Sequence, residues 1–203
     1  MNDVMITRRF ALPLTATALL STNALALDNS KFQPGPATSF PNKQTNDGVT
    51  VGVQAYDNED LTKSAFGKVN PNEHGVLPVL VVMQNDSKKA IKLEQVRAEY
   101  IDYDRRRVES TPARDLPYLE GPQRPNFKGT PLPGMGRKKK SPFLAWEFGG
   151  REFTAKMLPP GEAAFGFFYF QTRHRPGSKL YLTGLQEAAT GADMFYFDIP
   201  LSK

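Results

Sequence analysis

The chain contains no cysteine, one tryptophan and two histidines among its 203 residues. Without thiols it cannot build a disulfide framework, carry a lipid on cysteine or hold a thiolate zinc site, so the fold must rest on its hydrophobic core. A chain of this length can bury one. His74 and His174 have no second histidine at ligand spacing, and they read as loop residues. A Gly-x-Ser-x-Gly elbow, a phosphate-cradling glycine loop and a dinucleotide fingerprint are all missing, which leaves catalysis without a motif. No apolar run reaches the roughly 20 residues of a membrane helix, and the aromatic platforms of single-strand binders are not evident. We therefore expect no cofactor, no metal, no catalytic residue, no nucleic-acid partner and no transmembrane segment in the mature chain.

What is present begins with an export signature. Arg8 and Arg9 precede a short apolar region over residues 10–20, and Ala24-Leu25-Ala26 follows as a small-x-small cleavage site. This order predicts a signal peptide over 1–26, removed near Ala26, and a periplasmic or extracellular protein. Thr7-Arg8-Arg9 also fits a twin-arginine signal loosely. The signal carries Arg8, Arg9 and Asp3, so its loss lowers the formal charge from +5 by one.

Proline and glycine are plentiful, 17 and 16 residues, as expected of many short elements joined by tight turns. Residues 27–47 show little periodicity and read as an extended or disordered lead-in. Val49, Val51, Val53 and Ala55 then alternate with Thr50, Gly52 and Gln54, giving a strand with one apolar face. The stretch DNEDLTKSAF, from Asp57, carries a capping signature with Asp57 as the cap of one or two helical turns. The run VLPVLVVMQ from Val76 is apolar almost throughout, as in a strand covered on both faces. Parity switches among Ile91, Leu93, Val96, Ala98, Tyr100 and Ile101 imply bulges or a strand that changes sheets. A helix over 94–107 is the competing reading.

Residues 111–141 form a proline-rich insertion, which suits a linker or binding loop. After it, residues 143–148 and 151–157 flank Gly149-Gly150 and predict a tight hairpin. In AFGFFYFQ, from Ala164, aromatics fall on both faces, so a further interior strand is expected, with Gly166 admitting a neighbouring ring or backbone. Residues 180–185 and 194–201 complete about eight strands.

Three stretches, AFGKVNPNEHGVLPVLVVMQND, PPGEAAFGFFYFQ and KLYLTGLQEAATGADMFYFDIPLSK, together resemble a group of uncharacterised exported bacterial proteins with an immunoglobulin-like sandwich. More distantly, the layout is similar to small extracytoplasmic sandwich modules that assist binding or assembly. The resemblance implies fold and export but supplies no activity and no site residues.

The resulting expectation is an all-β chain: an immunoglobulin-like β-sandwich of about eight strands over 48–203, with one short helix and the insertion 111–141. One feature of the insertion has functional character, the basic run Arg137, Lys138, Lys139 and Lys140, suited to an anionic polymer or acidic partner. We expect a non-catalytic binding or assembly module for an envelope component. The alternatives are a hydrolase using carboxylates such as Asp102 or Glu162, and electrostatic adhesion through the basic run. Asp102 and Asp104 equally suit pairing with Arg105, Arg106 or Arg107.

Overall fold

The computed structural model describes residues 32–119 and 141–201. The expected signal over 1–26, the first residues of the lead-in and the run from Arg137 to Lys140 lie outside these.

The valine-rich stretches form the middle of a four-stranded antiparallel sheet. Its order is β1 (Asn42–Asn46), β2 (Val49–Ala55), β3 (Leu77–Asn85) and β8 (Ala163–Phe170). A second four-stranded sheet follows the order β11 (Phe197–Pro200), β9 (Lys179–Thr183), β5 (Arg97–Ile101) and β6 (Arg107–Glu109). Three two-residue strands make a small third sheet, β10 (Gln186–Glu187), β4 (Ile91–Lys92) and β7 (Met157–Leu158). The protein is thus mostly β, with eleven strands among the described residues where about eight were expected. The three two-residue strands carry no readable alternation, β1 lies in the stretch read as a lead-in, and the hairpin strands expected around Gly149-Gly150 do not form as expected.

Alternation along β3 places the core. Leu77, Val79, Val81 and Met83 join Val49, Val51 and Val53 in one buried cluster with Tyr100, Leu180, Leu182, Phe197 and Ile199 of the second sheet. Leu80 and Val82 turn the other way, into a cluster with Phe167 and Tyr169 of β8. That second face is covered by α1 (Glu59–Phe66), α2 (Trp146–Gly150) and a 3₁₀ turn at Ala113–Tyr118, through Phe66, Phe148 and Leu116. Phe66 and Phe148 stack with ring centroids 4.8 Å apart. The continuous apolar character of β3 follows from being covered on both sides.

Three local expectations need correction. The lead-in is ordered from Phe32, and its residues 42–46 form β1. Its sequence NKQTN has no apolar alternation, but Asp47 and Gly48 both take positive φ, 47° and 76°, the geometry of a two-residue hairpin turn. The hairpin expected around Gly149-Gly150 is instead α2, because a short helix buries Phe148 completely against Phe66, and the glycines end it. Over 94–107 the strand reading holds against the competing helix: β5 and β6 form there, joined by a turn in which Arg105 takes φ 64°. Asn58, not Asp57, caps α1, its side-chain oxygen accepting from the Leu61 amide at 2.9 Å. That leaves the Asp57 carboxylate available elsewhere.

The start of the insertion is packed against the body: Leu116 is fully buried, and the Thr111 amide donates to the Tyr169 carbonyl at 2.7 Å.

Candidate functional site

The alternation of β9 sends Leu180 and Leu182 into the core and leaves Tyr181 and Thr183 on the outer face of the second sheet. Tyr181 is in register with Glu99 of β5 and Asp198 of β11. The segment leading into β11 brings up Phe195 and Tyr196, residues that are 53% and 57% exposed. Tyr181 and Tyr196 lie 5.4 Å apart between ring centroids. With Gln95, Arg97, Thr183 and Asp193 they line a groove of about 380 Å³.

Charge surrounds these rings. The Arg107 guanidinium lies 5.3 Å from the centre of the Tyr181 ring and is held there by Glu99 at 2.9 Å. Lys179 pairs with Asp198 at 2.6 Å on the neighbouring strands. Gly184 shapes the groove where β9 ends: its φ is +82°, and a Cβ there would fall 1.9 Å from the Gln95 carbonyl oxygen. Only glycine fits that turn. The arrangement combines rings for stacking, two arginines for anionic or carbonyl groups, and Asp193 and Thr183 for hydrogen bonding.

A second cleft, of about 390 Å³, lies between the end of β2, α1 and the loop after β8. Its polar feature is His174, whose Nδ1 lies 2.7 Å from Asp57 Oδ2. Sequence reading treated both as loop or cap residues. A third depression, of about 440 Å³, is lined by Leu93, Glu94, Phe153, Thr154, Lys156 and Phe168.

The carboxylates considered from sequence stand apart. Asp102 Oδ1 accepts from the Arg106 amide within the β5–β6 turn, and Asp104 lies 3.7 Å from Arg175. Glu162 is exposed in the turn before β8, where its carbonyl accepts from the Asn85 amide at 3.0 Å. None of the three lines any of these clefts. His74 packs edge-on against Phe143, centroids 5.4 Å apart.

Arg151 has a packing role. Its guanidinium rests over Phe32 at 5.1 Å and Trp146 at 5.6 Å, tying the lead-in to α2. Burial lowers its pKa, with Glu147 opposing.

No protein-family model matches the chain, and no curated protein matches it. Among solved structures, the X-ray structure of Northeast Structural Genomics Consortium target SoR45 is similar over 77% of this chain and 87% of that chain, with 15% identity and a TM-score of 0.35.

Proposed function

We propose that the chain is a non-catalytic binding or assembly module, exported after removal of the leader ending near Ala26, in which an immunoglobulin-like sandwich presents the Tyr181 groove to an envelope component. The observation that carries the reading is the exposure of Phe195 and Tyr196, in the segment leading into β11, beside Tyr181 on the outer face of β9. Exposed rings rimmed by arginine and acid are the composition of a contact surface, where stacking supplies affinity and the rim supplies orientation. The partner is an envelope protein or an anionic polymer, contacted through Arg97 and Arg107. The basic run Arg137 to Lys140 adds a second, salt-sensitive contact in this reading. Asp102 and Glu162, held in separate turns, have no catalytic role in it.

The experiment is co-sedimentation of the mature protein with purified peptidoglycan and with lipopolysaccharide, alongside photo-crosslinking from position 196 in intact cells. Retention on a polymer, or a discrete protein adduct, that is lost in Tyr196→Ala is the expected result. Absence of both retention and adduct, or indifference to that substitution, would overturn the reading.

A further inference from the structure

Strand β6 carries a charge arrangement that a single chain leaves unresolved. Glu109 of β6 stands directly opposite Glu99 of β5. Within the same ladder the Ser110 amide donates to the Ala98 carbonyl and the Asp102 amide to the Arg106 carbonyl. Hydrogen-bonded and non-hydrogen-bonded pairs alternate along antiparallel strands, so Glu99 and Glu109 form a non-hydrogen-bonded pair, the kind whose side chains come closest. Like charges set opposite one another are destabilising. Arg107 pairs with Glu99 at 2.9 Å. Glu109 is exposed and has no ion pair among the described residues.

The same alternation turns the backbone N–H and C=O groups of Arg107 and Glu109 away from β5. These groups form an open edge, because β6 is the last strand of the second sheet and no described residue hydrogen-bonds to them. An edge of this kind is a template for another strand.

We propose that β6 pairs antiparallel with β6 of a second copy of this chain, joining the two sheets edge to edge about a twofold axis. With Val108 opposite Val108 of the second copy, each Arg107 faces Glu109 of the other chain. The unpaired Glu109 thereby gains a cation, and Arg107 has donors enough for both carboxylates. This register also hydrogen-bonds every outward group of Arg107 and Glu109. A slip of two residues sets Arg107 against its own counterpart, or Glu109 against its own, so charge selects the register. The contact is isologous and closes at two copies. So short an edge makes a small interface, which places the dimer in the weak, concentration-dependent class. Both copies turn the face bearing Tyr181 the same way, which suits bivalent contact with a polymer.

Sedimentation velocity of the purified protein between about 1 μM and about 1 mM tests the pairing. A reversible monomer–dimer equilibrium is expected. Arg107→Glu and Glu109→Arg each bring like charges together in this register and should each weaken dimerisation by about tenfold or more. An equimolar mixture of the two variants sets unlike charges opposite at both contacts and should dimerise as the parent does. Should Arg107→Glu fail to fold, Glu109→Pro removes one outward donor per copy without breaking a bond to β5 and must weaken the dimer. Tyr196→Ala should dimerise normally, so the groove reading and this one fail separately. The proposal is overturned if the protein stays monomeric throughout, if association runs beyond two copies, if the edge variants dimerise like the parent, or if the mixture fails to restore the dimer.

Discussion

The backbone of Phe153 lies against Gly166 of β8: a Cβ added to Gly166 would fall 2.4 Å from the Phe153 Cα and 2.6 Å from its nitrogen. The approach is fixed from both sides, since the Phe167 amide donates to the Arg151 carbonyl at 2.8 Å and the Phe153 amide donates to the Phe167 carbonyl at 3.0 Å. Residues 151–153 thereby cover the free edge of β8, which would otherwise offer unpaired backbone groups. Gly166→Ala forces this segment off the edge, because the obstacle is backbone and not a flexible side chain. The expected cost is about 2–3 kcal/mol. A urea midpoint that falls with unchanged slope would verify it, and an unshifted midpoint would refute it.

Asn85, fully buried at the end of β3, gives a second test. Its side-chain amide donates to the Lys89 carbonyl at 2.8 Å and the Leu158 carbonyl at 3.0 Å, and its side-chain oxygen accepts from the Ser87 amide and hydroxyl. One residue thus joins the β3–β4 turn to β7. Asn85→Ala strands several buried groups at once and should cost about 3 kcal/mol. Asp86→Ala, in the same turn, should cost far less. Equal losses for the two would show that the network does not matter.

Alkaline pH should loosen the layer of helices. Burial raises the Tyr56 hydroxyl to about 12, with Arg151 pulling it down. Burial raises that of Tyr169 further, and the charge of Glu152 adds to the effect. Above about pH 10 the unfolded chain releases phenolic protons that the folded chain keeps, so the folded state binds more protons. Stability contributed by these groups is complete below the unfolded value and declines as pH rises from about 10 towards 12. Unfolding free energies measured across that interval should fall. Tyr56→Phe should flatten the decline, and an unchanged slope in that variant would count against the assignment.

Substitutions in the Tyr181 groove should separate binding from stability. Phe195→Ala and Tyr196→Ala remove exposed rings and should shift unfolding by no more than about 0.5 kcal/mol. Each should weaken retention of the envelope partner by about tenfold, the order expected of an aromatic contact residue. Tyr181→Phe keeps the ring and should bind nearly as well. Loss of binding that only accompanies unfolding would remove the groove from consideration.

Several of these features were legible in the residues themselves. Alternating valines in β2, the unbroken apolar run of β3 and the two-faced aromatics of β8 each report burial locally, because side chains in a strand change face at every step. Gly166, in the middle of an aromatic strand, pointed to a close neighbour for the same reason. Partnership is another matter. NKQTN becomes β1 only because β2 is there to pair with it, and the segment around Phe148 becomes a helix because Phe66 receives its ring. The Tyr181 groove assembles rings that alternation alone assigns to ordinary strands, since nothing local states which outer face stays uncovered. Asp57 and His174 are 117 positions apart, and each looked like a cap or a loop residue by itself. Sequence determined which side chains had to leave water. Tertiary structure decided which polar ones would meet, because a contact between distant residues depends on where the intervening chain returns.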